Sequence, residues 1–561
     1  MKSYPETLSP FKRIWSLVGT EKRNIRFLYI YAVLAGAISL IVPLGIQAII
    51  GLVLAGKLSS SWFILIVLIT LAILLSGLTG LAQLSILESI QSKLFVRTAF
   101  DFSQKLASAT KLLKKYNSLL ELSEKFLDII TVQKSFSKIL LSFTTSLLEI
   151  LFGVILLAIY HPAFLLFGFT LLILVAIVLR ATYNRGVQSA RAESNYKFKT
   201  AFWLTEIAQN RVTFNLKQEQ NFHLKKTDEY LKGYVNSRQA HFRVLYNQAA
   251  IAIGMKVILT MAMLFLGSFL LVREDISLGQ FLASEILIIS LVDAVGKLVI
   301  SVESVYDAGI ALEKLGSVTD VSIDDRTEHT PKTDIISEAP SVTLVDRKSG
   351  KPVAVIKAGQ KVGICGMPGT GRTRILKTII GDMETEFASQ LNNVPVENIS
   401  GKGLGSITGI CLQGSHIFEG TLAQNIVLGN EPDLTELTNL SKALNLHTFV
   451  SSLPGGFNYE FESESGIPNN IARKIPLARA LYHTPPLVLI DDVWSAFTKK
   501  ELDAIWSHIR NINSTVIFIS NQIPVLSQAD SCLFLDENGF TELGKITANN
   551  VPQLIQDITW H

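Results

Sequence analysis

"KVGICGMPGTGRTRILKTII", residues 361–380, decides the fold of the second half of this chain. It opens on a short apolar run. A glycine-rich loop follows, Gly366 to Thr373, and then apolar residues at helical spacing. Strand, glycine loop and helix in that order make a phosphate-binding reading of G-x-x-x-x-G-K-[ST] credible, where a bare match would be weak. Every defined position fits except one: Arg372 stands where the pattern has Lys. Gly366, Gly369 and Gly371 leave backbone N–H groups able to cradle an anion at a helix N-terminus, and Thr373 can offer a hydroxyl to Mg²⁺. Arg372 keeps the charge but not the shape, because a planar fork is not a compact ammonium.

Working outward, short apolar runs alternate with helical patterns from Ser341 on, an α/β signature. "PLVLIDD", residues 486–492, reads as a buried strand ending in two carboxylates, Asp491 and Asp492; "TVIFIS", residues 515–520, reads as a third strand. Before this region, residues 319–340 are polar and read as a linker.

The first half is different. The chain of 561 residues is 48% hydrophobic and only 17% charged, so membrane spans are the first thing to seek. No Asp, Glu, Lys or Arg occurs from Phe27 to Gly56, or from Leu58 to Leu87. A span needs about 20 apolar residues, so each stretch holds one. A third runs from Ile139 to Tyr160, interrupted only by Glu149; His161-Pro162 then turns the chain into a fourth that ends near Val178. A fifth lies near Val244–Val272 with Lys256 inside it, and a sixth begins near Ile276 with Glu285 and Asp293. Such charges face a bundle interior or a water-filled path, unless they sit at a span's end. Lys2, Lys12, Arg13, Lys22, Arg23 and Arg26 crowd residues 1–26, and the segments 88–138 and 180–243 are also basic. The other connections, at Lys57, His161-Pro162 and Arg273–Asp275, are tiny. The positive-inside rule then predicts six spans over 27–318 with both termini cytoplasmic, and spanning helices that continue well into the cytosol. No signal peptide is expected: the first apolar stretch is too long. A net charge of +4 is too mild to suggest nucleic acid, and Cys365, Cys411 and Cys532 read as reduced thiols.

Together these features resemble an ABC exporter half-transporter. "CLQGSHIFEGTLAQNI" is similar to the Q-loop region, with Gln413 as its glutamine. "IPLARALYHTPPLVLIDD" resembles the helix after the signature motif and then Walker B. "SVESVYDAGIALEKL" resembles the stretch leaving the sixth span in type I secretion transporters. The resemblance covers nearly the whole chain. It implies an all-α six-helix transmembrane bundle followed by an α/β P-loop nucleotide-binding domain at 341–561. It implies ATP and Mg²⁺ as ligands, with the phosphates at Gly366, Gly369, Gly371, Arg372, Thr373 and Gln413, and the metal at Thr373, Gln413 and Asp491. It further implies a second ABC chain as partner, a lipid bilayer around the spans, a periplasmic adaptor and the bacterial inner membrane. No peptidase domain precedes the spans and no cysteine precedes Cys365, so the self-processing peptide exporters are expected to match poorly.

Against the family pattern, several catalytic positions are altered. Asp492 stands where the family has the water-polarising Glu, one methylene short; misplacing a catalytic group by about 1 Å can cost on the order of 100-fold. Asn521 stands at the switch His. The signature LSGGQ is "IPNNI", with Pro468, Asn469 and Asn470 where the family's Ser and glycines close over a partner's γ-phosphate. Thr498 replaces the D-loop Asp, and no Phe, Tyr or Trp lies between Ser322 and Gly363 to stack on adenine. Three readings stay open. One is an exporter subunit in a heterodimer with a more intact chain, hydrolysing weakly or only with that partner. The second is a catalytically inactive ABC-shaped scaffold or regulator. The third, an active homodimer, requires every departure to be harmless.

Overall fold

The computed structural model describes residues 19, 21–56, 60–107, 119–216, 221–321, 338–429, 431–462, 464, 466–537, 539–547 and 550–555. Lys2, Lys12, Arg13, Lys57 and most of the expected linker lie outside them. Contacts divide the chain into two units, Met1–Ile323 and Asp324–His561.

The first unit is helical. α1 (Lys22–Ser39) and α2 (Ile41–Leu54) are nearly continuous, with a break at Leu40. Pro43 explains the break: it has no N–H for the Ser39 carbonyl, and its ring crowds that group. α3 (Ser60–Ala107) has 48 residues, about 72 Å at 1.5 Å per residue, more than twice a bilayer core. α4 (Asp128–Lys138) leads through a π-helical turn, Ile139–Phe143, into α5 (Thr144–Tyr160). The Thr144 hydroxyl donates to the Ile139 carbonyl at 3.1 Å inside that turn.

His161 is extended and caps α6 (Pro162–Gln209), its Nδ1 accepting the Ala163 N–H, with Pro162 at the first helical position. α7 (Phe222–Val272) is followed by a tight connection and α8 (Leu278–Thr319). Ser277 and Gln280 form a reciprocal capping box at the start of α8.

Five helical stretches are long and apolar enough to cross a membrane: Lys22–Leu54, Ser60–Ala107, Glu121–Tyr160, Pro162–Gln209 and Phe222–Val272. Six spans are expected; α8, at the place of the sixth, is as long but is not among these five apolar stretches. It carries Glu285 and Asp293 and packs into the bundle, burying side chains from Gly279 to Val318. Leu287, Leu291 and Val295 meet Leu157, Phe164, Leu171 and Met263 in one core. Helices in lipid associate by close fit, which small residues permit. At Gly186 an added Cβ would lie 2.4 Å from the Tyr306 ring. Beside it Gln248 donates to Thr182 Oγ1 at 2.6 Å, tying α7 to α6.

The charges expected within the spans make the following contacts. Lys256 Nζ and Asp293 Oδ1 are 2.7 Å apart, linking α7 to α8, and both side chains are half exposed on the single chain. Glu285 buries one carboxylate oxygen with no hydrogen-bond partner among the described residues.

The second unit is α/β. β1 (Val342–Asp346), β2 (Pro352–Ile356) and β4 (Phe387–Leu391) belong to an antiparallel sheet. The main sheet holds β3 (Lys361–Gly366), β5 (Thr408–Cys411), β6 (Leu487–Asp491), β7 (Thr515–Ile519), β8 (Ser531–Asp536) and β9 (Gly539–Gly544) in the order β9-β8-β3-β7-β6-β5. β3, β7, β6, β5 and β8 are parallel and β9 is antiparallel at the edge. β7 lies between β3 and β6, its Ile519 paired with both Ile364 and Asp491. That register puts the glycine loop and the two carboxylates at the same end of the sheet, where ligands bind in open α/β folds. Behind them Trp494 stacks on Trp506, ring centres 5.3 Å apart, and donates to the Ile519 carbonyl.

Candidate nucleotide site

The expected order of strand, glycine loop and helix is present, the helix ending one residue short of Ile380. β3 ends at Gly366, and the next helix, α9, spans Arg372–Ile379. An added Cβ at Gly366 would lie 2.2 Å from the Leu535 carbonyl oxygen, so only glycine lets β3 and β8 pack here. Gly371 caps α9 with φ +86° and Gly369 has φ +90°, both left-handed. Open space surrounds Gly369. The loop therefore presents backbone to a helix N-terminus without side chains in the way, the geometry that phosphate needs.

Around it the side chains are bonded to one another. Thr373 Oγ1 donates to Asp491 Oδ2 at 2.9 Å, and Asp491 is buried. This pair fits a Mg²⁺ ion with oxygen ligands from the hydroxyl and the carboxylate. Arg372 donates to Asn521 Oδ1 at 2.6 Å. Asn521 also brackets Gly366, accepting its N–H at 3.2 Å and donating to its carbonyl at 3.1 Å. Sequence reasoning placed Arg372 and Asn521 in one site but did not see that they bond.

Asp492 follows β6 in a left-handed conformation, φ +33°. Burial pushes its carboxyl above the ordinary value; the charge of Arg372 opposes this and that of Asp491 adds to it. A left-handed Asp at a strand end is uncommon and marks a functional position more often than a random one.

The remaining expected residues lie elsewhere on the unit. Gln413 is exposed just past β5, and its carbonyl accepts from Arg473. Its side chain makes no hydrogen bond to Thr373 or Asp491. Pro468 caps helix α10 (Asn469–Leu481) with no side-chain hydrogen bond, where a Ser would add about 1 kcal/mol. Asn470 reaches Glu501 at 3.4 Å. Thr498 has a structural role: with Glu501 it forms the capping box of helix α11 (Lys499–Asn511). The spacing T-x-x-E is legible in the sequence.

Glu501 is held in turn by Lys474 Nζ at 2.6 Å, and Lys474 is buried to 1% exposure. Burial works to raise the Glu501 carboxyl, but the bonds from Lys474 and Thr498 and the Lys474 charge outweigh it and hold it at about 2. The three cysteines are buried and unpaired, and burial pushes each thiol up to about 12, so none is a reactive thiolate.

The fold is that of an ABC exporter: a helical bundle with helices long and apolar enough to cross a membrane, followed by an α/β unit that carries the glycine loop. Comparison with known proteins agrees. No family model matches. The chain is 24% identical over 352 residues to the pediocin PA-1 transport/processing ATP-binding protein PedD of Pediococcus acidilactici, 57% of this chain and 46% of that protein. It is 24% identical over 298 residues to the leukotoxin export ATP-binding protein LtxB of Aggregatibacter actinomycetemcomitans, 50% of this chain and 42% of that one. A bacterial Atm1-family ABC exporter with ATP bound matches its structure with a TM-score of 0.80 at 15% identity, covering 93% of this chain and 95% of that one. The chain is similar in sequence to ABC exporter ATP-binding/permease proteins, and it spans less than half the length of these two relatives. A transport/processing protein stands among them, although processing exporters were expected to match poorly.

Proposed function

We propose that this chain is one half of an ABC exporter dimer, paired with a different and more intact ABC chain in a type I secretion-like system. Its own cradle binds ATP through phosphate contacts at Gly366, Gly369, Gly371, Arg372 and Thr373, with Gln413 closing in. Thr373, Asp491 and Gln413 are the Mg²⁺ ligands; the ion, when bound, neutralises phosphate charge. Hydrolysis by this chain alone is weak. Asp492 is short for a water-polarising base, Asn521 is committed to Arg372 and Gly366, and Pro468, Asn469 and Asn470 cannot complete a partner's site. The spans cross the bacterial inner membrane with both termini cytoplasmic, and a periplasmic adaptor completes the assembly.

One observation carries this reading: the cradle and metal pair are assembled and bonded, while the signature helix begins on Pro468 with no side-chain cap. A preserved phosphate cradle beside a spoiled signature is what a heterodimer with a more intact chain tolerates and a homodimer does not. The second reading, a non-catalytic scaffold, draws support from Arg372 and Asn521 satisfying each other without a ligand. Nucleotide would then only bias one conformation by differential affinity. Affinity purification of the tagged chain from its native membrane separates them. The exporter reading expects a second ABC chain, with intact Walker B and signature, in equal amount. Recovery of this chain alone or only with itself contradicts it.

A further inference from the structure

A cavity of about 500 Å³ opens between the distal ends of α6 and α8 and the segment before α4. Its lining carries four cations, Lys125, Arg191, Lys199 and Lys314, against two carboxylates, Glu121 and Glu313. The carboxylates are engaged: Arg191 pairs with Glu313 at 2.7 Å and Lys125 lies 3.6 Å from Glu121. Lys314 and Lys199 make no ion pair among the described residues. Lys314 Nζ donates to Ser194 Oγ at 2.7 Å and lies 3.8 Å from the centre of the Phe198 ring. Burial pulls its ammonium down to about 8, with Lys197 and Lys125 adding to the effect and Asp128 and Glu313 opposing it. A cation in poorly hydrated, cation-rich surroundings gains most from an anion brought beside it. Phe198, Phe202 and Ile310 supply an apolar wall.

Depth says what kind of anion can reach it. Lys314 lies about 36 residues beyond the start of α8, so about 54 Å along the helix, and Lys199 is about as far along α6. A tilt of about 20° leaves about 51 Å, beyond a bilayer of about 40–45 Å with its headgroups. A lipid phosphate does not extend that far. The nucleotide cradle belongs to the other unit of the chain.

We propose that this cavity is a second ligand site, taking a small soluble organic anion with a phosphate or carboxylate group and an apolar or ring portion. The charged group sits between Lys314 and Lys199, and the ring portion lies on Phe198 and Phe202. That the ligand comes from the cytoplasm rests on the orientation proposed above; the site itself does not.

Pyridoxal 5′-phosphate tests it on the purified full chain, or its native complex, in detergent, where orientation plays no part. The aldehyde condenses with an unprotonated lysine amine, releasing water, and borohydride reduces the imine to a stable secondary amine that peptide mass spectrometry locates. Pyridoxal, with the same aldehyde and no phosphate, is the control. A cleft with an excess of positive charge raises anion capture by about 10-fold, so Lys314 is expected to be modified at least about tenfold faster by the phosphate form. Inorganic pyrophosphate should suppress that difference, and Lys199→Met should bring it below about threefold. Equal rates with the two reagents mean a reactive lysine and no anion site. That result, or no modification of Lys314 by either reagent, overturns the proposal.

Discussion

Removing one partner of the Lys474–Glu501 pair should damage the second unit more than removing both. Lys474 is buried, and its ammonium bonds the Glu501 carboxylate at 2.6 Å and the Asn445 carbonyl at 3.2 Å. Glu501 also accepts from the Thr498 N–H and hydroxyl, each at 2.8 Å. Lys474→Met leaves that carboxylate with only Thr498 and Asn470 as donors, and breaking a buried pair in this way costs about 3–5 kcal/mol. In a unit of this size 1 kcal/mol moves Tm by about 2–4 °C, so the drop should be about 6–20 °C. Lys474→Met with Glu501→Gln should recover most of it, because a neutral pair of similar volume carries no desolvated charge. Acid adds a second signature. The Glu501 carboxyl is held at about 2, below its ordinary value, so its stabilisation is full above about pH 5 and is lost as pH falls toward 2. That acid limb should flatten in Lys474→Met. The assay is thermal unfolding followed by the fluorescence of Trp494 and Trp506, which pack together in this unit. A shift under about 3 °C for Lys474→Met, or additive losses in the double variant, refutes the reasoning.

Two other outcomes follow from the geometry. Asn521→Ala removes the brace on Gly366 and Arg372, so ATP binding should weaken about tenfold in titration, about 1.4 kcal/mol; unchanged or tighter binding would show that Asn521 only occupies Arg372. A cysteine placed at Glu274, between α7 and α8, should react with a membrane-impermeant thiol reagent from outside the cell, and one at Asn221, before α7, should not; the reverse pattern would invert the proposed orientation.

How much of this was legible in the sequence depended on distance along the chain. The glycine loop, the strand ending in Asp491, the His161-Pro162 turn and the helical continuation past Arg180 are local patterns, and each appears where its residues predict. The Arg372–Asn521 bond is not local. It needs β7 inserted beside β3, a sheet order that no short pattern encodes. The Lys474–Glu501 pair likewise joins α10 to α11 across β6. Lys256 and Asp293 are an intermediate case. They lie almost equally far from the short connection between α7 and α8, so a helical hairpin brings them close to level, and that symmetry could have paired them in advance. Thr498 shows a different kind of miss. Compared only with a family motif it is a lost Asp, whereas compared with helix chemistry it is a sound N-cap.

The central claim is that this chain's defects sit on both halves of a composite site and that a sounder partner supplies what is missing. Asp492 and Asn521 weaken the site on its own loop, and Pro468, Asn469 and Asn470 weaken the site on its partner's. In a heterodimer, restoring the signature alone completes one site. The measurement is the ATPase rate of the native complex carrying Pro468→Ser, Asn469→Gly and Asn470→Gly together. The account predicts a rise of at least about tenfold, equal to about 1.4 kcal/mol of barrier. An unchanged rate in a complex shown to contain an intact second ABC chain would contradict it, and would mean that these sites do not close.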